Sequence, residues 1–203
     1  MDRSGARTTG AIARLIVAAL VAAAVVVTFA SAAPVPLADF FGFFTIQGNL
    51  IGGAVAMVGA VRLLRGTPAT TAWTFVRWCA TTYLVVVGLV YWAVLAPLHA
   101  AGGVPVPWAN LVLHGVVPAA GLLDWLLLRD RVRPPLRLLP VVLAYPLVWT
   151  AVVLVRGSTD GWVPYPFLDP AQGGGVVAAW VALVAGVFTG VAALLRLVPA
   201  PRP

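Results

Sequence analysis

A single cysteine, two histidines and no lysine occur in 203 residues, and only 9% of the chain is charged. The lone Cys79 excludes an internal disulfide. One Cys and two His are also too few for a structural zinc site, so Cys79 is read as a small packing residue. The scarcity of charge excludes a water-soluble domain, because 62% of the residues are apolar and the mean hydropathy is +1.01. A net charge of +7 invites a nucleic-acid reading. The basic residues are all arginines lying between apolar runs, however, which is the pattern of topology signals rather than of a phosphate-binding groove.

What the chain has in quantity is apolar runs of about 20 residues, each long enough to cross a hydrocarbon core. Six spans follow, at 11–33, 40–64, 73–97, 108–128, 136–155 and 174–198, separated by Gly- and Pro-rich breaks such as Pro34–Pro36, Gly66–Pro68 and Pro134–Pro135. The fold class is therefore all-α: one polytopic integral membrane domain, 1–203, built as a six-transmembrane helix bundle. An even number of spans puts both termini on one side. That side collects every arginine except Arg156, including Arg3, Arg14, Arg77, Arg129 and Arg202, while Asp39, Asp160 and Asp169 fall on the other. The positive-inside rule makes the termini cytoplasmic. Arg3, Arg7 and Ala30-Ser31-Ala32 imitate a signal peptide with its cleavage site, but the run between them exceeds a signal core, and the expectation is a retained anchor.

The second span opens on Asp39–Asn49, DFFGFFTIQGN, where aromatics precede Thr45, Gln47 and Asn49. Polar side chains at that depth are costly without partners and are functional candidates by default. At about 100° per residue, Thr45, Gly48, Asn49, Gly52, Ala56, Gly59 and Ala60 share one face. Small residues at four-residue spacing let helices approach closely in lipid, so this face meets protein. Gln47 points elsewhere and is expected at the interface. On the fourth span Asn110, His114, Pro118, Gly121 and Trp125 form a matching stripe, with a bend expected at Pro118. Thr45 and His114 both lie roughly 8–9 Å below the outer ends of their spans. A hydroxyl and an imidazole at one depth are placed to meet if the two helices are neighbours.

Arg77 and Asp124 fall near the cytoplasmic face at similar depth and read as a structural ion pair. Asp124 is about 15 Å below His114 and cannot orient it. The chemical reading of the upper pair is nucleophilic catalysis, with Thr45 attacking a carbonyl and His114 as the base. Asn49 or Asn110 would then steady the oxyanion. The alternative is that these residues only tie spans together by hydrogen bonds. The aromatic segment Trp162-Val163-Pro164-Tyr165-Pro166-Phe167 reads either as an interfacial belt or as a cover over a site. A shared haem is disfavoured because His99 falls in an outer loop at a different depth, and a transporter because no paired broken helices are found.

FFGFFTIQGNL, LLRG at Leu63–Gly66, NLVLHGVVPAAGLLDWLL at Asn110–Leu127, YPLVW at Tyr145–Trp149 and GWVPYPFLDP at Gly161–Pro170 together resemble the Pr6Pr membrane proteins. These are bacterial relatives of the family of androgen-induced protein 1 and androgen-dependent TFPI-regulating protein. The resemblance implies a membrane-embedded threonine hydrolase acting on fatty acid esters of hydroxy fatty acids, with its catalytic threonine and histidine at Thr45 and His114. Gly48 and Val163 depart from the family pattern, at positions bearing on substrate choice. The combined expectation is a plasma-membrane lipid ester hydrolase of the carboxylic ester hydrolase class. Thr45 and His114 are its catalytic pair, and Asn49, Asn110, Trp162 and Tyr165 bind substrate or support the oxyanion. No cofactor or metal is called for, the partners are membrane lipids and a lipid ester or fatty acid, and nucleic acid is excluded. The alternative is a non-catalytic lipid-binding or scaffolding protein with the same six spans.

Overall fold

The computed structural model of the chain describes residues 3–32, 34–128 and 130–199. Ala33, at the end of the first predicted span, and Arg129 and Arg202, counted among the topology signals, lie outside the described residues. Among those described there are helices and turns but no strand, and six helices are long and apolar enough to cross a membrane. Helix α1 (Arg3–Ser31) is the first, and the short α2 (Leu37–Phe40) leads into α3 (Phe44–Leu64). Next, α4 (Thr71–Val90) runs on through a π-helical turn, Tyr91–Leu95. The fourth span is α5 (Pro107–Leu111), a second π-helical turn (Val112–Val116) and α6 (Val117–Leu127). A short α7 (Leu139–Val142) and α8 (Ala144–Thr159) make the fifth, and α9 (Gly174–Leu197) the sixth. Two spans outrun their expected bounds by four residues or more. Helix α1 begins eight residues earlier than expected, at Arg3, and α8 continues to Thr159, where the Thr159 hydroxyl donates back to the Val155 carbonyl at 2.9 Å.

Helix α4 is central, packing on α3, α6 and α9, while α1 lies along α3. The glycine face of α3 explains how close these helices come. A methyl group on Gly52 would sit 2.7 Å from a Leu84 methyl, and one on Gly121 of α6 would sit 2.9 Å from the same atom. Leu84 thus fills the space that both glycines leave, and only small residues allow α3, α4 and α6 to share it. Two tryptophans tie α9 to this core. The Trp78 indole donates to the Ala192 carbonyl at 2.9 Å and that of Trp125 to the Leu195 carbonyl at 2.8 Å. Helices α8 and α9 expose Leu147, Val148, Val152, Leu183 and Leu194, an apolar surface suited to lipid.

At the end of the bundle that carries the termini, the expected Arg77–Asp124 pair exists, at 2.6 Å, but as one edge of a larger cluster. Arg14 of α1 donates to Asp124 at 2.7 Å, to Asp130 at 2.7 Å and to the Gly59 carbonyl at 3.0 Å. Arg77 reaches Asp130 at 2.6 Å. Two buried guanidinium groups are thus matched by two carboxylates, and Gly59 has no side chain because Arg14 occupies that space. Asp130 lies just beyond α6. Burial alone would raise its carboxyl, but the bond from Arg14 and the charges of Arg77 and Arg14 hold it below the usual carboxylate range.

Candidate active site

Proline organises the site. Each π-helical turn ends two residues before a proline, Leu95 before Pro97 and Val116 before Pro118. A proline supplies no N–H to the helix behind it, and π-turns are a common way to absorb the misfit. Pro118 would have served the His114 carbonyl in an α-helix and the Leu113 carbonyl in a π-helix. Both carbonyls are served by side chains from other spans. Trp92 of the third span donates its indole N–H to the His114 carbonyl at 3.0 Å. Asn49 of α3 donates its amide to the Leu113 carbonyl at 3.0 Å. The bulge expected only as a bend at Pro118 is therefore pinned from both sides, and His114 is carried on it.

The imidazole stacks on Tyr91, with ring centroids 3.8 Å apart and planes 18° from parallel. Tyr91 itself begins the other π-turn. The Nδ1 atom of His114 is 3.2 Å from the Asn110 carbonyl, which can only accept, so Nδ1 carries the proton. Nε2 is then a free acceptor, and the Thr45 hydroxyl oxygen lies 3.1 Å from it. Thr45 and His114 are 3% and 1% exposed. Among the described residues no carboxylate orients this histidine; a carbonyl and an aromatic face do.

Thr45 sits in the first turn of α3, whose flanking residue Phe43 offers no side-chain cap. Its backbone N–H is satisfied instead by the Tyr165 hydroxyl at 3.1 Å, which also approaches the Thr45 hydroxyl at 3.3 Å. Burial pushes the Tyr165 phenol above its usual range, while its contacts with Thr45 pull the other way; the group stays protonated. Tyr165, Phe167 and Leu168 are buried, so this segment turns inward over Thr45 rather than forming an outward belt. Trp162 lies edge-on to Phe43 and fills the space beside Gly42, where a methyl would come within 2.4 Å of its ring. Arg156 covers the Trp162 ring at 4.3 Å and pairs with Asp39 at 2.6 Å and Asp160 at 2.8 Å.

Thr45 also lines an apolar cleft whose walls do not include His114. Its walls come from α3, α4, α8, α9 and the 165–168 segment, with Val87, Leu95, Trp149 and Phe188 among them. Leu147, exposed on the outer surface of α8, also lines it. Thr45 thus meets both an imidazole and an apolar cleft.

Four expectations need correction. Both amide hydrogens of Asn49 are engaged, one on Leu113 and the other on the Thr45 carbonyl at 2.9 Å, so it has no donor left for an oxyanion. Asn110 is likewise spent on the Ala101 and Val104 carbonyls, at 3.1 and 2.9 Å. Gln47 is not left to the interface: it accepts from the Tyr145 hydroxyl and donates to the Phe41 carbonyl. Trp162 braces the cover and is not among the residues lining the cleft. Tyr91, Trp92 and Arg14 were missed by the sequence reading; for the first two, the signal was a proline following at short range.

Comparison with family models, with curated proteins and with solved structures gave no match to this chain. Any functional reading rests on the motifs and on this geometry.

Proposed function

We propose that the protein is a membrane-embedded lipid ester hydrolase in which Thr45 is the nucleophile and His114 the general base. The observation that carries the reading is the 3.1 Å approach of the Thr45 hydroxyl to an Nε2 left unprotonated by its carbonyl partner, at the wall of an apolar cleft. An unaided threonine hydroxyl is a weak nucleophile, and a positioned base is what it lacks. In the first half-reaction the Thr45 oxygen bonds to the ester carbonyl carbon, its proton passes to Nε2, and the carbonyl electron pair moves onto oxygen. Collapse expels the alkoxide, which takes that proton from His114 and leaves an acyl-threonine. Water then repeats the sequence, with His114 again taking and returning a proton, to release the acid. The chemistry asks for no metal or organic cofactor.

The cleft suits an acyl chain delivered from the bilayer between α8 and α9. The resemblance to the Pr6Pr proteins narrows the substrate to fatty acid esters of hydroxy fatty acids, the reading places the protein in the plasma membrane, and the arginine asymmetry favours cytoplasmic termini. The same cleft would hold a lipid without chemistry, which is the second reading. A fluorophosphonate probe on purified protein separates the two. Labelling of the wild type that is lost in Thr45→Ala and in His114→Ala, with both variants still folded, supports catalysis. Equal labelling of wild type and Thr45→Ala would sink the nucleophile. With a hydrolysable ester, each variant should lose about 10³-fold or more in kcat.

A further inference from the structure

An acyl transfer at Thr45 needs a donor fixed on the oxygen that becomes negative, and the polar side chains nearest the site are all otherwise engaged. Asn49 and Asn110 have no amide hydrogen to spare. Tyr165 accepts from the Thr45 N–H and has its one proton beside the Thr45 hydroxyl. The connection between the third and fourth spans offers another group. It passes the site as two successive glycines in the left-handed region, Gly102 at φ 58° and Gly103 at φ 84°. A methyl on Gly102 would lie 3.1 Å from His114 Nε2 and 3.4 Å from Leu95, a wall of the cleft. A methyl on Gly103 would fall within 2.5 Å of the Phe43 ring. Bare backbone is therefore pressed against the edge of the imidazole that faces Thr45.

That backbone is held in place and left unsatisfied. Asn110 clamps it on both sides of the glycines through the Ala101 and Val104 carbonyls, and the Val104 N–H closes the turn on Ala101 at 3.0 Å. Gly102 is buried, yet among the described residues its N–H has no hydrogen-bond partner. Where such an N–H is itself shielded from water, leaving it unpaired costs about 1–3 kcal/mol and is rare in native folds. Folds keep such groups at sites where something else completes them.

The geometry points to the backbone N–H of Gly102 as the oxyanion donor of the Thr45–His114 site, with Asn110 as the residue that positions it. This rests on the hydrolase reading. The donor waits unpaired in the free protein and gains its acceptor only when the substrate carbonyl turns tetrahedral, so its interaction is made in the transition state and adds to kcat rather than to substrate affinity. Asn110 thus enters catalysis through the turn it ties and not through its own amide.

The test is to replace the Gly102 N–H with an ester oxygen by semisynthesis, leaving all side chains intact. The ester also makes the Ala101 carbonyl, which accepts from Asn110 and from the Val104 N–H, a weaker acceptor, so thermal stability should fall slightly, and the loss in kcat is read on the folded protein. On a hydrolysable lipid ester, kcat should fall about 10²–10³-fold with KM nearly constant. A trifluoromethyl ketone, which forms an oxyanion on the threonine, should lose affinity in proportion. Asn110→Ala should move the same way, with the loss in kcat and not in KM; if it does not fold, the ester variant decides alone. An ester variant that turns over at the wild-type rate overturns the assignment while leaving the hydrolase reading standing. So does Tyr165→Phe abolishing ketone binding that the ester variant retains. A wild-type protein that never acylates Thr45 removes the hydrolase reading, and this assignment with it.

Discussion

The hydroxyl of Tyr165 caps the helix that carries Thr45: it accepts the Thr45 backbone N–H at 3.1 Å, where no neighbouring side chain of α3 does so. One aromatic residue from a loop about 120 positions along the chain both starts that helix and covers its first polar side chain.

Tyr165→Phe keeps the ring packing against Phe43 and Phe167 but strands a buried donor. Loss of a cap costs about 0.5–2 kcal/mol. The variant should unfold earlier by that amount in detergent and still label with a fluorophosphonate, more slowly than wild type. Unchanged stability would show that the N–H had found another acceptor.

The Trp92–His114 and Pro118–His114 relationships should be energetically coupled. Trp92→Phe removes the indole donor to a carbonyl that Pro118 cannot serve, at a cost of about 1–3 kcal/mol. Pro118→Ala restores an N–H four residues on from that carbonyl. In the Pro118→Ala background the Trp92→Phe penalty should shrink by at least about 0.5 kcal/mol, read from a double-mutant cycle. Strict additivity would mean that the proline does not create the vacancy.

At the arginine-rich end, Asp130→Asn leaves two buried guanidinium groups facing one carboxylate. Breaking a buried pair costs about 3–5 kcal/mol, and the partial exposure of Asp130 favours the lower end, about 3 kcal/mol. The effect should be on unfolding of the bundle, with probe labelling of the surviving folded fraction unchanged. Loss of labelling at full stability would contradict a purely structural role.

The clasp at the opposite end has a defined acid limit. The Trp162 N–H, and then Arg156, hold the Asp160 carboxyl below the usual range. A depressed carboxyl stabilises the folded state above its unfolded value of about 3.9 and loses that contribution as pH falls through the lower folded value. Amide protection of Trp162 should therefore be flat from about pH 8 to 5 and fail only below about pH 4. Arg156→Gln should weaken it throughout and speed proteolysis between residues 160 and 173. Loss of protection at pH 6 would implicate a different group.

Helical phase and depth were enough to select Thr45 and His114, because each is fixed by its own span's periodicity. The roles of Asn49 and Asn110 were not legible. An amide on a polar stripe looks the same whether it awaits a ligand or a stranded carbonyl; the carbonyl that takes Asn49 is stranded by the π-turn before Pro118, and those that take Asn110 lie in the Gly102–Gly103 turn. Tyr165 could be named from its aromatic segment, but its inward turn depended on Gly42 leaving room for Trp162. Arg14 was counted with the other arginines as a topology signal. Its burial became visible only when α1 was seen to lie along α3, with Gly59 opening space for the guanidinium.

That last placement has a consequence for how the protein is made. Arg14 is synthesised 110 residues before Asp124 and 116 before Asp130. While the chain emerges, the first span holds a cation with no counter-charge and must keep it extended to the membrane surface, as long arginine side chains can. Only when the fourth span and the turn after it arrive can α1 draw the charge inward and settle along α3. The order of synthesis therefore keeps the first helix from its final seat until the fourth span and the turn after it have been made.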